Sequence, residues 1–296
     1  MISYKSIQEL VNAATSSGRK LSAVIIEDQV RALDRSEAEL YREMKHRLDA
    51  MKESLLTGLS QENPSLSGLV GRDAHLLQEA MAQGKLLGGS VFNGALLKAI
   101  AIAEVNAAMG RIVAAPTAGS CGILPALILT AAETWQASEE SQVQALFTAS
   151  GIGMVIARIA GVSGAVGGCQ AECGSASGMA AAAVVEMAGG TPEQSAHACA
   201  IALKNILGLV CDPVAGLVEV PCVKRNAGGA ANAMVAIDLA LAGIKSVIPV
   251  DEVIQAMHQI GQAMPVTLKE TALGGLAVTA TGCRLARELQ AKDKAH

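Results

Sequence analysis

Residues 36–58 read SEAELYREMKHRLDAMKESLLTG, and this stretch decides the fold class. Leu40, Met44, Leu48, Met51 and Leu55 recur at spacings of three and four, which puts them on one face of an α-helix. Ser36 with Glu39 is a capping-box pattern at the start, and Gly58 is a stop signal at the end. The same grammar continues outward. Ser6 and Glu9 form a second capping-box pattern before ELVNAA. Thr191, Pro192 and Gln194 supply an N-cap, a proline at the first helical position and a box partner for a helix running to about Gly208. Asp251 opens another helix through VIQAMHQIG. Strand-like alternation is scarce; LVEVPCV at 217–223 is the best candidate, and it is short. The expectation is an all-α fold, interrupted at the Gly-rich turns GAVGGC (164–169) and NAGGAANA (226–233).

Length and composition narrow the classes. At 296 residues the chain is about twice a typical ~150-residue domain, but it has no low-complexity linker and no fixed repeat. We read it as one Ala/Gly-rich helical domain over 1–296. Of its 50 charged residues, 23 lie in 1–85, 17 in 86–250 and 10 in 251–296. The middle block is therefore expected to be core, with the charged N-terminal part and the C-terminal helices lying over it. A net charge of −4 gives no electrostatic reason to bind nucleic acid, and 2% aromatic residues leave few stacking surfaces. The apolar bulk is small instead, with 54 Ala and 30 Gly, which suits close helix packing. The run Ile112–Ala132 carries no charge but contains Pro116, Gly119, Ser120, Gly122 and Pro125. It reads as buried interior, so no membrane association is expected. The opening MISYKSIQELVNAATSSGRK lacks the apolar run of a secretory signal, which implies a cytoplasmic protein.

There are seven cysteines: Cys121, Cys169, Cys173, Cys199, Cys211, Cys222 and Cys283. An odd number in a chain without an export signal argues for free thiols or metal ligands over a disulfide framework. Cys121, Cys199 and Cys283 read best as small buried hydrophobes. Cys169 sits in GAVGGCQAECGSASG, Cys211 follows a predicted helix, and Cys222 follows Pro221 eleven residues later. Gly-rich and post-helix positions offer backbone N–H groups near sulfur, as a metal cluster needs. Spacing alone leaves open whether these three share a metal, since no CxxC pair is present. Cys169 and Cys173, four apart, are an alternative pair on one helical turn.

EVNAAMGRIVAAPTAGSCGILPA (104–126), GGCQAECGSASGMAAAAVVEMAGG (167–190) and LKNILGLVCDPVAGLVEVPCVKRNA (203–227) closely resemble the α chain of bacterial iron–sulfur-dependent L-serine dehydratases, over nearly the whole chain. The resemblance implies an all-helical catalytic domain. It also implies a [4Fe–4S] cluster on three cysteines that match Cys169, Cys211 and Cys222, and conversion of L-serine to pyruvate and ammonia through 2-aminoacrylate. Three thiolates leave one iron open as a Lewis acid for the substrate carboxylate and hydroxyl. Some members place a C-terminal cysteine on that iron. This chain ends QAKDKAH, so water or substrate is expected there, with Cys283 as the alternative. The family's GPSSSHT-type motif belongs to a second domain and does not occur in this sequence. The resemblance therefore implies a β chain as partner, with the catalytic base coming from it.

Other residues carry weaker signals. Thr117 and Ser120 lie on the turn APTAGSCG and could hold a substrate carboxylate; otherwise they are turn and cap residues. Asn106, in an apolar segment, faces substrate or backbone. Arg225 could clamp a carboxylate or tune the cluster's charge, with a plain surface role as the equal alternative, and Asn226 beside it is a further substrate-binding candidate. His75 and His197 are candidate bases because histidine titrates near neutrality, although a partly buried, structural role suits each better. A pyridoxal-phosphate lyase would require a Schiff-base lysine and a phosphate loop, for which Lys204 and 174-GSASG are the only candidates; we expect no such cofactor. Rival readings on the same scaffold are an L-cysteine desulfidase and a cluster-bearing subunit inactive without its β chain.

Overall fold

The periodic face of residues 36–58 does form a helix, one of thirteen among the described residues. The computed structural model describes residues 2–60 and 64–293. In chain order its helices are α1 (Ile7–Ser17), α2 (Leu21–Leu33), α3 (Glu37–Ser60), α4 (Asp73–Ala82), α5 (Ser90–Ala107), α6 (Ile123–Trp135), α7 (Glu139–Ile159), α8 (Gly164–Gly167), α9 (Ser175–Met187), α10 (Pro192–Asn205), α11 (Cys222–Leu241), α12 (Val250–Ala263) and α13 (Ala280–Asp293). No strand occurs among the described residues; the one β-like contact is an isolated parallel bridge between Cys211 and Lys269. The all-α expectation holds.

Helix α9, SASGMAAAAVVEM, is the axis of the bundle. Every residue from Ser175 to Glu186 is buried, and α6, α7, α10 and α11 surround it. Alanine is what permits this, because it is the best helix former and lets neighbouring backbones approach closely. The charge-free run Ile112–Ala132 leads into α6, whose residues Ile123 to Ala131 are all buried. Helix α7 is long and apolar enough to cross a membrane, but 67% of its apolar 18-residue stretch is buried in the bundle. The main hydrophobic core extends from Ile2 to Met257, and a small second cluster joins Val70, Ala103, Ala107 and Val223.

Three helices begin on carboxylates supplied from elsewhere in the chain. Asp251 accepts the N–H groups of Ile7 (2.8 Å) and Gln8 (3.0 Å) at the start of α1. Glu186 accepts from Ser22 at the start of α2 (3.2 Å) and from the Thr148 hydroxyl (2.8 Å). Glu104 accepts from Asp73 (2.8 Å) and Ala74 (3.2 Å) at the start of α4. A helix N-terminus presents unpaired N–H groups and partial positive charge, so a carboxylate there meets both needs.

Several local expectations change. The boxes at Ser36/Glu39 and Thr191/Gln194 form in full. At Ser6 only half forms, because Glu9 accepts from Lys5 instead (2.6 Å). Helix α10 ends at Asn205, with a turn through Gly208. Helix α3 passes through Gly58 and ends at Ser60; that glycine lies against the Ala101 backbone, where a Cβ would collide. It serves packing, not termination. NAGGAANA does not interrupt the fold but runs inside α11, with Gly229 packed on Ile123 and Ser177. LVEVPCV is not a strand. Val214 N–H donates to the Val220 carbonyl (2.9 Å), folding the segment into a closed loop that ends as α11 begins at Cys222.

Candidate active site

Three cysteines 53 positions apart at the extremes converge on one cavity of about 270 Å³. Cys169 begins a π-helical turn, Gln170–Gly174, that joins α8 to α9. Gly168 before it has φ +75°, and a side chain there would strike Met264 and the Leu209 carbonyl. Cys211 leaves the turn after α10 and is fixed by backbone: its N–H donates to Leu268 (2.9 Å) and its carbonyl accepts from Glu270 (2.8 Å). Cys222 is the first residue of α11. Thr117, Gly119, Ser163, Glu172 and Glu270 complete the polar wall.

Glycine keeps this space open. A Cβ built on Gly164 would lie 2.5 Å from Glu172 Oε2 and 2.9 Å from Cys211 Sγ. Asn226 fixes the floor. It is buried, its amide donates to the Gly119 (2.8 Å) and Cys222 (2.9 Å) carbonyls, and its Oδ1 accepts from Gly122 N–H (2.9 Å). With both amide donors used by the protein, Asn226 positions the turn at 117–122 against α11 and has no donor left for substrate.

Charge in the cavity is mixed. Glu172 is buried; burial raises its carboxyl above the ordinary value, opposed by the Thr117 hydroxyl donating to Oε1 (2.8 Å) and reinforced by the negative charge of Glu270. Arg225 donates to the Val210 carbonyl and to Asp212, both at 2.8 Å. Burial opposes its charge, but Cys169 and Asp212 hold it above its usual value. A hydrogen bond from Cys173, with Sγ atoms 3.4 Å apart, lowers Cys169 against the effect of burial, and Arg225 adds to it. Burial pushes the Cys222 thiol up to about 12 and also raises Cys211, with Glu172 adding to both.

The chain matches the model of the family described as serine dehydratase alpha chain over residues 16–277. The chain belongs to that family. It is 52% identical to the "Probable L-serine dehydratase, alpha chain" of Bacillus subtilis over 98% of this chain and 95% of that protein. It is 43% identical to the "L-serine dehydratase, alpha chain" of Peptoniphilus asaccharolyticus over 95% of this chain and 96% of that one. It is also 35% identical to "L-serine dehydratase 2" of Escherichia coli, over 95% of this chain but only 62% of that longer protein.

The other residues singled out from the sequence fall in several places. Thr117 lines the cavity, and Ser120, fully buried, lies 3.1 Å from its hydroxyl. Asn106 lines a separate cavity of about 550 Å³ that shares only Ala118 and Val218 with the first. His75 is exposed on α4 beside Glu79 (3.2 Å). His197 is half-buried on α10, its imidazole lowered by burial and then by Lys245. Neither histidine lines the cavity. Cys121 and Cys199 are buried as expected, but Cys283 is exposed, contacts the Ala277 carbonyl (3.8 Å) and does not line the cavity. Residues 174–178 are buried in the π-turn and α9, so GSASG is not an open phosphate loop. Sequence reasoning missed Glu172 and Glu270. Glu172 carried a signal, as the one acidic residue between Glu140 and Glu186. Glu270 carried none; its φ of +62° and its place beside Cys211 are set by tertiary structure.

Proposed function

We propose that this chain is the cluster-bearing chain of a cytoplasmic L-serine dehydratase, converting L-serine to pyruvate and ammonia with a β chain as partner. The convergence of Cys169, Cys211 and Cys222 on one cavity carries the reading. Among the described residues, no three His, Cys, Asp or Glu side chains are grouped to chelate a single metal ion. Three thiols spread around a 270 Å³ space suit a larger group, and the room left by Gly164 suits it too. A [4Fe–4S] cluster on these three cysteines would supply a Lewis acid at its uncoordinated iron.

The residues around it have complementary tasks. Arg225 is a fixed cation beside Cys169 and offsets the charge of a thiolate-rich group. The Thr117 hydroxyl holds Glu172, so the donors for the substrate carboxylate in this turn are the backbone N–H groups of Ala118 and Gly119, which line the cavity. Asn226 sets the spacing between that turn and Cys222. A base must also remove the Cα proton. His75 and His197 lie outside the cavity, so we assign the base to the β chain. The Escherichia coli relative, of which this chain covers 62%, supports a second polypeptide supplying the remainder. Dehydration of serine gives an enamine that tautomerises and hydrolyses to pyruvate and ammonia.

The test is anaerobic co-expression with a β chain, followed by iron analysis and assay of pyruvate release from serine, with threonine and cysteine as competitors. Cys169→Ser, Cys211→Ser and Cys222→Ser should each lose most of the iron and the activity. Cys199→Ala should keep both. Full iron in Cys211→Ala would overturn the assignment.

A further inference from the structure

Cys173 has no part in the site as described, yet it touches it. Its sulfur lies 3.4 Å from that of Cys169, the one sulfur pair in hydrogen-bond contact among the described residues. Both thiols are free and buried, with Cys169 facing the cavity and Cys173 behind it. They sit at either end of the π-turn, flanked by Gly168 and Gly174. A Cβ on Gly174 would meet nothing closer than 3.6 Å, whereas one on Gly168 would strike Met264 and the Leu209 carbonyl, so any adjustment falls at the Gly174 end of the turn. A disulfide requires sulfurs at about 2.05 Å, so closure asks for roughly 1.4 Å of approach between side chains already on one turn.

We propose that Cys169 and Cys173 form a reversible disulfide when the cavity is empty of its metal group, withdrawing one ligand and shielding it from irreversible oxidation. The idea rests on the reading of Cys169 as a cluster ligand. While that sulfur is held by iron it is not available; once iron is lost it faces a solvent-sized cavity. A peroxide then oxidises it. One O–O bond breaks, Cys169 becomes a sulfenic acid and one water leaves. The Cys173 thiol attacks that sulfur, the S–S bond forms, and a second water leaves. In sum, two thiols and one hydrogen peroxide give one disulfide and two waters, with two electrons passing from sulfur to oxygen. A dithiol reverses it. Without Cys173 a second hydrogen peroxide takes the sulfenic acid to sulfinic acid with release of one water, and a dithiol does not reduce that product.

The full chain, stripped of iron by chelator under argon, would be treated with hydrogen peroxide, alkylated and digested with trypsin. The peptide Ile159–Lys204 holds Cys169, Cys173 and Cys199. The expected result is a two-dalton loss with only Cys199 alkylated, reversed by dithiothreitol. Iron-loaded protein treated briefly in the same way should keep Cys169 and Cys173 unpaired. In a second arm, peroxide-treated wild type should recover its iron uptake after dithiothreitol, whereas Cys173→Ala should carry sulfinic acid at Cys169 and recover less than half. Alkylation of both cysteines after peroxide, pairing of Cys169 with Cys211 or Cys222, or equal recovery by the variant would overturn the proposal. The peptide mass does not depend on serine turnover, and iron uptake by untreated chain tests the ligand assignment separately.

Discussion

Replacing Gly164 by alanine tests whether the cavity is built around its contents. Gly164 lies in the short helix α8 with φ outside the positive region, so the backbone itself accepts alanine. Helix propensity alone would favour the change by up to ~1 kcal/mol. The new methyl would lie 2.5 Å from Glu172 Oε2 and 2.9 Å from Cys211 Sγ. Ordinary contact is about 3.5–4.0 Å, so Glu172 must retreat by about 1 Å and Cys211 by roughly 0.6–1 Å. Overpacking of this kind costs about 1–3 kcal/mol, which outweighs the gain in propensity. Cys211 is pinned on both sides by backbone bonds to Leu268 and Glu270, so its sulfur yields by rotating out of place. The expected outcome is a stability loss of about 1–2 kcal/mol in chemical denaturation, with iron per chain falling by more than half. Gly178→Ala is the control: its methyl would crowd Cys199 at 3.0 Å, far from the ligands in role. It should destabilise comparably while keeping iron in the protein that remains folded. Wild-type iron content and stability in Gly164→Ala would refute the claim that this glycine keeps the cavity open.

Two further outcomes are expected. Asn226→Ala strands the Gly122 N–H and the Gly119 carbonyl, so it should destabilise the protein by about 1–3 kcal/mol for each group left without water, read as a lower urea midpoint with loss of iron. Glu104 is buried, and burial raises its carboxyl above the ordinary value despite the N–H groups of Asp73 and Ala74. A raised carboxyl favours folding below its unfolded value of about 4.3 and loses that contribution as pH rises through the folded value. Stability measured against Glu104→Gln should therefore fall as pH rises above about 4.3. A difference that grows over that range would show the N–H bonds outweighing burial.

Much of this was legible in the sequence, for a physical reason. Helix existence follows from local periodicity and capping: α3 announced itself by both, and α10 by its cap. Composition also fixed the packing style, since a chain this rich in alanine and glycine and poor in aromatics buries itself through close backbone approach, as α9 does. The three cysteines stood out because they sit at Gly-rich or post-helix positions. What the sequence left undecided were choices made by distant partners. Gly58 and Gly229 looked like breaks, but each is pressed against another helix, and a glycine's local preference does not reveal its neighbour. LVEVPCV alternates like a strand, yet no second strand lies beside it to complete the hydrogen bonds. Asp251, Glu186 and Glu104 cap helices 244, 164 and 31 residues away, a pairing that no local pattern encodes. The site follows the same division. Cysteine identity is written in the chain, but the nearness of Glu172, Glu270 and Cys173 to those sulfurs exists only once α8, the π-turn and the strand-like bridge at Cys211 are packed together. Local energies choose helices; burial of specific surfaces chooses which side chains meet.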